Sequence, residues 1–87
     1  MTKIIQKESA KKSLDELPNR IQKKYLVQKN RLEKNRRDTR LHTKKLKNLS
    51  GVYSFRITRA YRGLFYFHTE EIIVIFAIGH RKDIYSK

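Results

Sequence analysis

The sequence predicts an α+β domain: a short N-terminal strand, a two-helix hairpin, then a three-stranded antiparallel meander, with the helices packed on one sheet face. Three observations carry this. Apolar residues recur at helical spacing between Ser9 and Lys34, and at a spacing of two from Val52 onward. The run Ile72-Ile73-Val74-Ile75-Phe76-Ala77-Ile78 is an unbroken stretch of strand formers, the mark of a strand buried on both faces. The brief connections Arg59-Ala60-Tyr61 and Thr69-Glu70-Glu71 join the later strands into the meander.

Lys3-Ile4-Ile5-Gln6-Lys7 reads as the first strand. Ser9 can cap a first helix that runs to about Glu16, with Ala10, Leu14 and Leu17 on one face. Pro18 ends that helix or opens the next. Ile21, Tyr25 and Leu32, with Leu26 beside them, mark the inner stripe of a second helix reaching Lys34; Lys23, Lys24, Lys29 and Arg31 lie outside. A loop rich in Arg and Lys follows from Asn35 to Ser50. In Val52–Thr58, Tyr53, Phe55 and Ile57 share one face, and Ser54, Arg56 and Thr58 the other. In Arg62–His68, Phe65 and Phe67 join the core, whereas Arg62, Leu64 and Tyr66 point away from it. No repeat, linker or internal boundary interrupts residues 1–87, so one domain is expected.

Charge narrows the function. Twenty-two Lys and Arg against eight Asp and Glu give a net charge of +14 over 87 residues, which opposes compaction and favours polyanions or an acidic protein partner. Residues 1–48 hold 16 of the basic side chains, and eight of the nine aromatics follow them. A chain this size buries only roughly 60–65% of its unfolded surface, so stability is marginal. The absence of cysteine excludes disulfides and thiolate metal sites and points to the cytoplasm. No signal peptide is visible, and no apolar run is long enough to span a bilayer.

After the last strand come Gly79-His80-Arg81-Lys82-Asp83-Ile84-Tyr85. If this segment folds over the outer sheet face, His80, Arg81 and Tyr85 join Arg56, Arg62 and Tyr66 in one basic cleft. Carboxylates are scarce there, Asp83 being the acidic residue nearby, and His42, His68 and His80 lack metal-ligand spacing. The pattern therefore points to metal-free phosphodiester cleavage of a substrate that carries its own nucleophile, the 2′-hydroxyl of RNA. That reaction needs a base, cations for the developing phosphate charge and an acid for the leaving oxygen. Arginine cannot be the base, so Arg56, Arg62 and Arg81 are phosphate clamps. His42, His80, Tyr85 or a lysine can move protons, and spacing does not settle which. Lys44, Lys45 and Lys47, with Arg59 and Lys82 flanking the cleft, are candidate RNA-backbone contacts. His68, beside a turn, reads as structural.

These residues carry a resemblance. Leu46-Lys47-Asn48-Leu49-Ser50-Gly51, Tyr53-Ser54-Phe55-Arg56-Ile57, Tyr61-Arg62 and Gly79–Tyr85, in this order and spacing, resemble the RelE-like toxins of the RelE/ParE superfamily. The resemblance covers essentially the whole chain and implies a βααβββ fold. It also implies a ribosome-dependent mRNA interferase that enters the vacant A site, needs no cofactor or metal, and is held by an acidic cognate antitoxin. By the same resemblance Arg56, Arg62 and Arg81 match basic positions of the family's site. Tyr85 matches the tyrosine that orients or stacks on the substrate, and His42 and His80 match histidines used as proton carriers in some subgroups. Some relatives place a proton-transferring lysine where Ser54 stands; its absence leaves Lys44, Lys45, Lys47 or the histidines for that role. The alternatives are a ParE-like inhibitor of DNA gyrase and a basic RNA- or ribosome-binding protein; Arg81 with Tyr85 favours RelE.

Overall fold

The computed structural model describes residues 2–85. The chain runs β1 (Lys3–Gln6), α1 (Glu8–Asp15), α2 (Asn19–Lys34), a 3-10 turn (Thr39–Leu41), β2 (Lys44–Lys45), β3 (Val52–Arg56), β4 (Tyr61–Thr69), β5 (Ile72–His80) and α3 (Arg81–Ile84). The strands form one sheet in the order β1-β5-β4-β3-β2. β1 lies parallel to β5 and the other neighbours are antiparallel. The expected meander is thus present, with one further strand at each edge. β2 is an addition, because two exposed lysines carry no apolar alternation that marks a strand.

The helices cover one sheet face. Tyr25, Leu32 and Leu41 meet Phe55, Phe65, Ile73 and Ile75 in the core, all nearly inaccessible to solvent. Two helix expectations need correction. Ser9 is not the cap: α1 starts at Glu8, and Ser9 Oγ instead donates to the carbonyl of Phe76 at 3.0 Å, fastening the helix to β5. Leu26 is not on the inner stripe but 54% exposed, since one residue beyond Tyr25 is a turn of about 100° around the helix. Gln28 takes that inner place. Pro18 opens α2, accepting from the amides of Ile21 and Gln22. The Asn35–Ser50 loop is anchored by buried Leu41 and by Asp38, whose carboxylate caps the 3-10 turn and pairs with Arg40 at 2.8 Å.

A bulge on β5 decides what the C-terminal segment presents. Leu64 pairs with Ala77, but Phe65 pairs with Ile75, so Phe76 is an extra residue. Beyond it the alternation is inverted. Ala77 and Gly79 lie with Leu64 and Arg62 on the face away from α1 and α2, while Ile78 and His80 lie with Gly63 and Tyr61 on the helix-bearing side. On the open face Leu64, Val74 and Ile84 are buried, with Ser54 beside them in the sheet, which places α3 over this end of it.

Candidate active site

Arg56 and Arg62 are directly paired across β3 and β4, on the open face. Two like charges opposite each other in a sheet repel, so an anion between them would relieve a standing cost. Arg56 is set by its backbone: the carbonyl of Arg56 accepts from Nε2 of Gln28 at 2.7 Å, and the same amide group donates to the carbonyl of Arg40 at 2.9 Å. Gln28 Oε1 in turn accepts from Arg31 at 2.9 Å. Gln28 is only 5% exposed, and this buried bridge was missed by sequence reading because a glutamine on a basic helix looks solvated. Arg56 Nε is buried, with no hydrogen-bond partner among the described residues.

Arg62 is braced against its own turn. One Nη donates to the carbonyls of Thr58 at 2.5 Å, Arg59 at 2.9 Å and Tyr61 at 3.1 Å. Burial pulls its guanidinium below the usual arginine value; Arg56 and Arg81 add to the fall, and the hydrogen-bonding Tyr85 phenol opposes it. Four groups from three elements therefore converge: Arg56 of β3, Arg62 of β4, and Arg81 and Tyr85 of the C-terminal segment.

The segment reaches them through α3. The Arg81 amide donates to the carbonyl of Ala60 at 2.7 Å, and Ile84 is buried beside Gly79. Burying a side chain like Ile84 is worth about 1.5–3 kcal/mol, enough to hold one helical turn in place. Arg81 and Tyr85 stay accessible, Tyr85 at 42%.

His80 departs from the predicted cleft. The bulge places it on the opposite side of the sheet, edge-on to Tyr61 with ring centroids 5.5 Å apart. Its Nδ1 accepts from the Lys82 amide at 3.1 Å and caps α3, which leaves the ring proton of the neutral form on Nε2. His42 is exposed at the end of the 3-10 turn with a left-handed backbone (φ 47°), just before β2. Lys44 pairs with Ser54 and so rises from the open face; Lys45 pairs with Tyr53 and points to the other. Lys47, Arg59 and Lys82 are exposed around the rim, and His68 is exposed near the β4–β5 turn. Tyr66 packs on Phe76 at 5.7 Å on the open face. A groove of about 670 Å³, lined by Arg36, Arg37, Tyr53 and Phe67, lies away from the arginine cluster. The cluster sits on an open surface, suited to a large polyanion rather than an enclosed small molecule.

Comparison with known proteins bears on the family and the fold. The model of the family Phage derived protein Gp49-like matches residues 12–85. No curated protein matches the sequence. Among solved structures, the fold is similar to the RelB-RelE antitoxin-toxin complex of Methanococcus jannaschii (TM-score 0.76, 22% identity, 94% of this chain and 95% of that one). It is also similar to the toxin-antitoxin complex RelBE2 of Mycobacterium tuberculosis (0.69, 28%, 92% and 98%) and the DinJ-YafQ toxin-antitoxin complex of E. coli (0.78, 11%, 97% and 97%). With its motif order, fold and family match in agreement, the chain belongs to the Phage derived protein Gp49-like family and is a RelE-like toxin domain.

Proposed function

We propose that this chain is the toxin of a type II toxin–antitoxin pair: a ribosome-dependent endoribonuclease that works in the cytoplasm and cuts mRNA in the vacant A site. The observation that carries the reading is the convergence of Arg56, Arg62, Arg81 and Tyr85 on one open sheet face. Three guanidiniums stabilise the charge that develops on a phosphodiester, each worth about 2.7–4 kcal/mol if placed like an oxyanion-hole donor. The 2′-oxygen forms the new bond to phosphorus, the P–O5′ bond breaks, and the products carry a 2′,3′-cyclic phosphate and a 5′-hydroxyl. Tyr85, hydrogen-bonded to Arg62 yet exposed, supplies the proton for the 5′-oxygen or stacks on a base. Lys47, Arg59 and Lys82 hold the RNA backbone and ribosomal RNA, whereas Lys45 lies on the other face. The net charge of +14 suits capture by an acidic antitoxin, and three of the similar structures are toxin–antitoxin complexes by name.

Primer extension on a reporter mRNA after induction, with and without translating ribosomes, tests this. Cuts within codons that need ribosomes are expected. Intact transcripts on arrested ribosomes would remove the nuclease reading, and supercoiling loss with DNA damage would point to gyrase instead.

A further inference from the structure

A single turn of helix carries Arg81 and Tyr85 to the cluster, and one turn has little stability of its own. We infer that His80 is a positioning residue of the proposed site: its ring locks α3 in the orientation that aims Arg81 and Tyr85 at Arg62, and no proton passes through it to the substrate. The inference deepens the interferase reading above and rests on it.

Tyr85 stands four positions after Arg81, so both side chains leave the turn on one side. That side meets Arg62: the Tyr85 phenol hydrogen-bonds its guanidinium, and the Arg81 charge acts on the same group. The first amides of a helix have no partner within it. In α3 the first two are taken up from outside. The Arg81 amide donates to the carbonyl of Ala60 at 2.7 Å, and the Lys82 amide donates to Nδ1 of His80 at 3.1 Å. One bond ties the turn to the β3–β4 connection and the other to the last residue of β5. Ile84, buried beside Gly79, holds the far end.

The capping ring is itself held. It stands edge-on to Tyr61 with centroids 5.5 Å apart, and Tyr61 is its partner across β4 and β5. The register puts the ring on the helix-bearing side, with the sheet between it and the guanidiniums of Arg56 and Arg62. A proton carrier must come within about 2.6–3.2 Å of the oxygen it serves, and a ring behind the sheet does not. The imidazole nitrogen instead does what a side-chain oxygen of Asn or Ser does at other helix starts: it accepts from an amide of the first turn.

The test compares His80→Ala, His80→Asn and His80→Ser in the full chain. All three lose the ring contact with Tyr61. Asn and Ser keep an acceptor that can cap the turn, and neither changes charge near neutral pH. Two readouts are taken: single-turnover cleavage of a defined mRNA on ribosomes with an empty A site, and hydrogen exchange at the Lys82 amide. His80→Ala is expected to cleave roughly 5–30-fold more slowly, the factor that loss of a cap corresponds to, with faster exchange at Lys82. His80→Asn and His80→Ser should return the rate to within about 3-fold of wild type and slow the exchange again. A His80→Ala variant that cleaves at the wild-type rate would overturn the inference. So would Asn and Ser variants as slow as His80→Ala, since the imidazole itself would then be required. Wild-type protein that leaves the mRNA whole would remove the interferase reading, and the exchange pattern alone would then decide whether His80 holds α3.

Discussion

Replacing Gln28 by Leu tests whether one buried amide organises both the loop and the site. The substitution nearly conserves volume but removes the donors to the carbonyls of Arg40 and Arg56, at 2.9 and 2.7 Å. Each carbonyl left buried and unpaired costs about 1–3 kcal/mol, or about 2–6 kcal/mol for the pair. Burying leucine returns about 1.5–3 kcal/mol of this, for a net loss centred on about 2 kcal/mol. In a domain this small each kcal/mol moves Tm by about 4–8 °C, so circular dichroism should show a fall of roughly 8–16 °C. Cleavage should also weaken well below the new Tm, because the backbone beneath Arg56 is no longer pinned. A Tm within about 3 °C of wild type would refute the reasoning: the carbonyls would then be hydrated, and Gln28 would not be a structural bridge.

Gly63→Ala should destabilise the fold by about 1–3 kcal/mol, read by urea denaturation. A Cβ there would stand 2.6 Å from Cζ of Phe55, a fully buried ring with nowhere to move. Arg81→Ala should cut cleavage by about 10²–10³-fold with Tm unchanged. Arg62→Ala should lower both cleavage and Tm, since that guanidinium also holds three carbonyls of its own turn. Asp38 is depressed from 3.8 to about 2, chiefly by its hydrogen bond to the Arg40 side chain. A lowered folded value stabilises above the unfolded one, so the loop's protection should be complete above pH 4 and fall as pH drops through about 2. Hydrogen exchange of the Arg40 amide checks this, with Asp38→Asn as the variant whose exchange should not follow that titration.

Strongly periodic elements were legible in the sequence. The Val52–Arg56 alternation, the Ile72–Ile78 run and the Ile21-Tyr25-Leu32 stripe each place a burial pattern that composition alone can read. Leu26 misled because an apolar residue beside a stripe says nothing about its angle around the helix. β2 was invisible, since its only sequence is two lysines and its strand character comes from pairing with β3. Of the site, Arg56 and Arg62 follow from alternation, and Arg81 and Tyr85 from the C-terminal segment returning over the sheet. His80 did not follow, because Phe76 and Ala77 are both apolar and nothing punctuates the run where its register slips.

That slip organises the chemistry. Were Phe76 paired with Leu64 instead of bulged, strict alternation would put His80 on the open face with Arg62 and take it away from the ring of Tyr61. With the bulge, His80 caps α3 from the far side, the cap sets the turn, and the turn delivers Arg81 and Tyr85 to the open face. The histidine thus acts by position. A face with paired arginines, an unpartnered buried Nε and few carboxylates is at its lowest free energy only when an anion fills it. In the proposed reading, RNA phosphate and the carboxylates of an acidic antitoxin would both meet that need, so an antitoxin that occupies the guanidiniums would block cleavage.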